Sequence, residues 1–158
     1  MVTDPEIRFR HLADRVRQCG GRLTPQRVAI LRILAASEGH PSVEQIYEQI
    51  QDDFPTTGMA TIYKTIALLK EMDEVLELGF ADGSSRYDGA RPAPHPHLIC
   101  VRCGEILDLD VPALDELVAQ VAAQLTETVE YDVHSHRLDL YGLCKTCRAA
   151  GSRSDRAG

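Results

Sequence analysis

Two short cysteine pairs, Cys100-Val-Arg-Cys103 and Cys144-Lys-Thr-Cys147, constrain this chain more than any other feature. Four thiolates at that local spacing can close a tetrahedral shell around zinc(II). A thioredoxin-like redox pair is the rival reading, but no βαβ setting surrounds either motif and a duplicated pair would be odd. Two structural disulfides do not suit a reducing compartment. The forty residues between the pairs exceed the spacing of a simple zinc ribbon, so a helix and strands must lie between the two knuckles. Cys100, Cys103, Cys144 and Cys147 are therefore read as structural zinc ligands. Cys19, alone on the first helix, reads as a half-buried small apolar residue.

The half of the chain that precedes the pairs reads as four amphipathic helices. The first starts at Asp4-Pro5, a cap followed by proline at the first helical position, and carries Phe9, Leu12, Ala13 and Val16 on one face up to Gly20-Gly21. Thr24-Pro25 opens the second, with Val28, Leu31 and Ala35 inward. Ser42-Val43-Glu44-Gln45 is a capping box for the third, and Val43, Ile46, Tyr47 and Ile50 follow helical spacing. The fourth, about 58–71, has Met59, Ile62, Ile66 and Leu69 inward and Thr61, Tyr63, Lys64 and Thr65 outward. Two strands at 75–80 and 84–88, joined by an Asp82-Gly83 turn, complete a hairpin. Helices followed by a hairpin are the layout of a winged helix-turn-helix, with the fourth helix as the major-groove reader. A small helical core with an incidental hairpin is the alternative that element order leaves open.

The proline-rich run around 89–96 suits neither a helix nor a central strand. Beyond it come strands at 97–100 and 106–109, a helix opened by Asp110-Val111-Pro112 with Leu114, Leu117, Val118, Val121 and Leu125 in register, and a longer strand from 129 to about 141. The expected organisation is α+β: a winged helix-turn-helix DNA-binding domain (1–90), a hinge (91–96), a small α/β zinc-stapled dimerisation domain (97–150) and a disordered tail (151–158). A second domain of roughly 55 residues cannot bury enough core alone, so it needs a staple, a partner or both.

The net charge of −7 argues against nucleic acid until its distribution is considered. Residues 1–32 hold seven arginines against Asp4, Glu6 and Asp14, a local balance of +4 that leaves −11 for the rest. Affinity for DNA comes from local basic surface meeting phosphates, so one basic edge on an acidic protein is compatible with binding. Apolar content of 44% and charged content of 26% are those of an ordinary soluble protein. The absence of an eighteen-residue apolar run or an N-terminal apolar core points to the cytoplasm, with no membrane partner.

Histidines cluster near the cysteines: His95-Pro-His97 just before the first knuckle, and His134-Ser-His136 in the expected late strand, on one face by alternation. His40 stands alone before the third helix. Asp88 and Asp108 are nearby carboxylates. Imidazole and carboxylate together suit iron(II), manganese(II) or zinc, unlike the all-thiolate set, so one metal can be structural and another sensed.

These residues resemble a known family. Leu23-Thr24-Pro25-Gln26-Arg27, Gly39-His40-Pro41-Ser42, Ala60-Thr61-Ile62-Tyr63, His95-x-His97-Leu-Ile-Cys100-x-x-Cys103-Gly104 and His136-Arg-Leu-x-x-Tyr141-Gly142-x-Cys144-x-x-Cys147 are similar, in order, to the ferric uptake regulator (Fur) family, and most to its peroxide-responsive (PerR) branch. The resemblance implies a regulatory Fe(II) or Mn(II) held by His40, Asp88, His95, His97 and Asp108, with aspartate at 108 where iron-sensing members usually carry glutamate. Pro94 and Pro96 replace a His and an Asp often found in iron sensors, leaving Glu116, His134 and His136 as candidates for a partial further shell. Lys64 differs from the Asn common in the peroxide branch and the Arg of the iron branch, so operator choice stays open.

The expected function is a metal-dependent DNA-binding repressor, a homodimer on a double-stranded operator, sensing peroxide through a metal that sets the angle between domains. A repressor of the same family that senses iron, zinc or another metal level without peroxide chemistry is the alternative. Arg17, Arg22, Thr24, Gln26, Arg27, Thr61, Tyr63, Lys64 and Thr65 are the candidate DNA contacts. A hydrolytic metalloenzyme is the rival class, disfavoured because no nucleophile–base motif or phosphate loop accompanies the metal donors, and no small-molecule substrate is expected. A zinc-stapled dimerisation module with inert histidines is the third.

Overall fold

The structure, a computed structural model, describes residues 4–80 and 82–154, the last four by their backbone alone. It forms two compact units, one ending at Ala93 and one starting at Pro94.

The first unit contains helices α1 (Pro5–Gln18), α2 (Pro25–Ala36), α3 (Val43–Ile50) and α4 (Met59–Glu71), then strands β1 (Leu76–Gly79) and β2 (Ser85–Asp88). Their starts are chemically marked. Asp4 accepts the N–H groups of Glu6 and Ile7, Thr24 accepts that of Arg27, and Ser42 and Gln45 form a reciprocal capping box. The strands pair antiparallel, with Leu78 opposite Arg86, and make the wing of a winged helix-turn-helix. Gly83 occupies the left-handed region (φ 83°) in their turn, where Asp82 Oδ1 accepts the Ser84 N–H.

Leu12, Val16, Ile30, Leu31, Leu34, Ile46, Ile62 and Leu69 are fully buried and join the four helices into one core. Each contributes on the order of 1.5–3 kcal/mol of burial. Two helical faces differ from expectation. On α2 the inward set is Ile30, Leu31, Leu34 and Ala35, while Val28 is half-buried. On α4 the stripe is Ile62, Thr65, Ile66 and Leu69, and Met59 in the first turn is exposed. Thr65, expected outward, is completely buried. It is three residues beyond Ile62, hence on the same face, and its hydroxyl is satisfied by donating to the Thr61 carbonyl at 2.8 Å.

A buried ion cluster ties α1 to the strand end. Arg8 donates to Glu74 Oε2 (2.8 Å), to the Glu74 carbonyl (2.8 Å) and to the Gly89 carbonyl (2.7 Å). His11 Nε2 and Arg15 Nε both lie 2.9 Å from Glu74 Oε1. Gly89 is required by packing, because a Cβ there would sit 2.7 Å from Leu34 Cβ.

In the second unit β3 (His97–Cys100), β4 (Ile106–Asp108) and β5 (Asp139–Gly142) form a sheet ordered β4-β3-β5. Helix α5 (Pro112–Val129) lies between β4 and β5 in the chain, and α6 (Lys145–Ser154) follows the sheet. The long strand expected over 129–141 is absent. Helix α5 runs to Val129 and stops at Glu130 in the left-handed region, 130–138 has no regular structure, and pairing resumes at Asp139, where β3 offers an edge. The segment expected to be disordered from 151 has helical backbone up to 154, and 155–158 lie outside the described residues. Helix α5 has no buried residue: Leu117 and Val121 on its apolar face are about half exposed. Among the described residues no helix is long and apolar enough to cross a membrane.

The Glu74 cluster has a testable consequence. Burial raises the Glu74 pKa, but the hydrogen bonds from Arg8 and His11 outweigh it and hold the carboxyl below its ordinary 4.5. A depressed folded value means that its stabilisation is present above 4.5 and is lost as pH falls through the folded value. Glu74→Gln leaves Arg8 buried without its counter-charge and is expected to cost about 3 kcal/mol near neutral pH. Chemical unfolding of both forms checks this, with the difference between them shrinking below pH 4.5.

Candidate metal centres

The two cysteine knuckles meet. One sulfur from each of Cys100, Cys103, Cys144 and Cys147 lies within 4.8 Å of the other three, and Cys103 and Cys144 Sγ are 3.8 Å apart. A tetrahedral zinc with bonds of about 2.3 Å has sulfur–sulfur edges of roughly 3.8 Å, so the set fits zinc(II). The first knuckle turns at Gly104 (φ 73°), whose N–H donates to the Cys100 carbonyl. The second leads into α6, and Arg102 donates to the Cys147 carbonyl at 2.7 Å. Backbone N–H groups of Cys144, Cys103 and Arg102 lower the Cys100 thiol to about 6, whereas burial and the neighbouring cysteines push Cys147 up to about 12. Cys100 is therefore the readiest thiolate of the four. Cys19 is exposed rather than half-buried, with its sulfur 3.3 Å from Met72 Sδ.

Of the five histidine and aspartate candidates, two belong to the first unit and three to the second. In the first unit, His40 Nε2 is 3.5 Å from Asp88 Oδ2, and both side chains are about 1% exposed. Asp88 Oδ1 accepts the N–H groups of Ala90 and Arg91 while Oδ2 faces the imidazole. His40 has φ 51°, a left-handed conformation that costs a non-glycine residue of order 1–3 kcal/mol and persists only when its surroundings enforce it. Tyr87 donates its N–H to the Pro41 carbonyl, and Arg86 donates to the His40 carbonyl at 3.4 Å, so the wing holds this loop.

In the second unit, the β3–β4 register sets His97 opposite Asp108. Asp108 Oδ1 is 3.1 Å from His95 Nε2 and 3.9 Å from His97 Nε2, and donor atoms of all three lie within 4.8 Å of one another. Buried imidazoles facing a carboxylate make a mixed nitrogen–oxygen donor set that fits iron(II) or manganese(II) better than the thiolate set does. Asp139, which no sequence motif singled out, sits against the other face of this set: its Oδ1 is 3.3 Å from His97 Nδ1.

Glu116, His134 and His136 are not brought together. All three are exposed, and none belongs to a group of three or more ligating side chains among the described residues. The expected pairing of His134 with His136 relied on strand alternation, and 130–138 is not a strand.

Of the candidate DNA contacts, Tyr63 and Lys64 are exposed on α4 and Thr61 is half-buried. Thr65 cannot reach a groove from the core. Arg17 and Arg22 are exposed, Arg17 beside Asp14 at 2.8 Å. Thr24 caps α2, Gln26 is half-buried at its start, and Arg27 donates to the Arg22 carbonyl. Met59 and Ala60 are also exposed in the first turn of α4.

Replacing Cys147 with Ser is expected to release zinc and unfold the second unit. Structural zinc contributes on the order of 10–16 kcal/mol, comparable to the whole stability of a domain. Zinc content and circular dichroism of the purified variant check this. Full helicity without zinc would exclude a structural role.

Comparison with known proteins agrees with this geometry. Residues 18–141 match the ferric uptake regulator family. The peroxide-responsive repressor PerR of Staphylococcus epidermidis is 42% identical over 137 residues, covering 87% of this chain and 88% of that protein. A zinc-bound manganese uptake regulator is similar in structure, with a TM-score of 0.65 and 31% identity over 84% of this chain and 98% of that one. The Helicobacter pylori ferric uptake regulator Fur shares the fold, with a TM-score of 0.73 at 22% identity over 93% and 95% of the two chains. The chain belongs to the ferric uptake regulator family.

Proposed function

We propose that this protein is a cytoplasmic, metal-dependent transcriptional repressor that senses peroxide through a regulatory Fe(II)/Mn(II) site. The observation that carries it is the His95–His97–Asp108 donor set, with the shorter aspartate at 108, in a chain 42% identical to a PerR repressor. His40 and Asp88 of the first unit and His95, His97 and Asp108 of the second are the proposed regulatory ligands. A shell drawn from both units couples metal binding to the angle between the domains. In a homodimer that angle sets the separation of the two α4 helices, which must match half-sites about one helical turn, or a multiple of one, apart.

Iron(II), when bound, supplies the electron that reduces peroxide, whereas manganese(II) supplies charge without that chemistry. The protein's own residues do the rest. Burial of His40, His95 and His97 excludes bulk water from their rings, and Asp88 and Asp108 give them facing carboxylates. Addition of oxygen to His40 or His95 destroys a ligand, frees the hinge and releases the operator. A ligand governs the two arrangements only through its differential affinity for them. The zinc-stapled second unit is the proposed dimerisation domain, with the exposed apolar face of α5 as part of its contact. The histidine–carboxylate site is read as regulatory, not as an enzyme's centre.

Two measurements follow. Lys64→Ala is expected to weaken operator binding by about 1–3 kcal/mol and relax preference at one base pair per half-site, while Arg17→Ala or Arg22→Ala weakens binding evenly across sequences and flattens its salt dependence. Equal, sequence-independent losses in a gel-shift series would remove α4 as the reader. After mild peroxide treatment, mass spectrometry of the iron-loaded protein is expected to show one added oxygen on the peptide holding His40 or His95, with loss of DNA binding and no change in the manganese form. If both forms stay unmodified and DNA-bound, the protein reports metal level alone.

A further inference from the structure

Asp139 lies outside the proposed ligand set yet touches it. It opens β5, and the parallel register of β3 with β5 puts it beside His97. Its Oδ1 is 3.3 Å from His97 Nδ1, and its side chain is only 8% exposed. The other oxygen is anchored: Arg137 Nε donates to Oδ2 at 2.6 Å and the Tyr141 hydroxyl at 3.4 Å. The carboxylate therefore cannot swing away from the imidazole without breaking an ion pair. His97 meets a carboxylate at each nitrogen, Asp139 at Nδ1 and Asp108 at Nε2, 3.9 Å away.

An imidazole has one proton to place when neutral, and a carboxylate facing one nitrogen draws it there. The lone pair then lies on the opposite nitrogen, with the ring's direction set and its basicity raised. Asp139 is on the side of His97 away from Asp108, so it favours the tautomer whose Nε2 joins the donor set. A carboxylate serving only to pin β5 would need its Arg137 partner but not the contact with His97.

We infer that Asp139 is a positioning residue for the regulatory metal: its carboxylate, 3.3 Å from His97 Nδ1, draws the imidazole proton to that nitrogen, favours the ring with Nε2 toward the donor set, and thereby sets the affinity of that set for a divalent cation. The inference rests on the proposal that His97 ligates the regulatory ion. Asp139→Asn separates charge from position, because an amide of the same shape keeps an oxygen available to the imidazole while the negative charge is gone. Asp139→Ala removes both.

The experiment titrates manganese(II) into the full-length, zinc-loaded protein and reads free manganese(II) by electron paramagnetic resonance. Asp139→Ala is expected to weaken binding about 10–100-fold, with Asp139→Asn falling between it and the wild type. In a His97→Ala background the further change Asp139→Ala is expected to add nothing, since the residue through which Asp139 acts is gone. Zinc content and thermal midpoint accompany each titration, and if Asp139→Ala fails to fold, the near-isosteric Asp139→Asn carries the test. Unchanged affinity in both variants, or the same loss with and without His97, overturns the role of Asp139 while leaving the metal site standing. A wild-type protein that binds no manganese(II) beyond its zinc overturns the site and the inference together.

Discussion

Four sulfurs from knuckles more than forty residues apart converge in a unit whose eighteen-residue helix, α5, buries none of its side chains. Such a unit has little hydrophobic burial with which to offset the entropy of ordering its chain. The thiolate cluster supplies what the core lacks. It closes the loop that contains α5 and ties the C-terminal ends of β3 and β5 to one point, with Cys100 at the end of one strand and Cys144 just past the other. Once those ends are joined, the parallel register of β3 with β5 is set, and with it the neighbours of His97.

The histidine and aspartate donors of the second unit depend on that register at short range. A one-residue slip of β4 or β5 would turn Asp108 or Asp139 to the opposite face of the sheet, because strand side chains alternate with period two. The cysteine set and the histidine–aspartate set are thus linked mechanically within one unit: the softer donors hold the sheet, and the sheet aims the harder ones. Their different ligand chemistry suits the two sets to different ions.

The first unit solves the complementary problem by ordinary burial. Its helices close around a continuous apolar core, and the Arg8–Glu74–Arg15 cluster links α1 to the start of the wing. The wing in turn holds the strained His40 loop through Arg86 and the backbone of Tyr87. His40 and Asp88 therefore stand on the same scaffold that presents Tyr63 and Lys64 on α4. In the proposed mechanism this shared scaffold lets loss of one imidazole be felt at the DNA-binding face.

Local chemistry made much of the protein legible from its sequence. The caps at Asp4, Thr24 and Ser42, the Asp82-Gly83 turn and the two cysteine pairs all act within a few residues, so the order of elements and the thiolate cluster could be read before any contact was known. Periodicity failed where two faces compete: Thr65 reads as polar and outward, but its spacing from Ile62 and its bond to the Thr61 carbonyl bury it. It failed again over 129–141, where alternating residues suggested a strand and only 139–142 found an edge to pair with. The Glu74 ion cluster and the Asp139–His97 contact were decided by tertiary structure alone. Each joins residues about forty or more positions apart, and such contacts exist only after strand register and helix packing have brought the partners together.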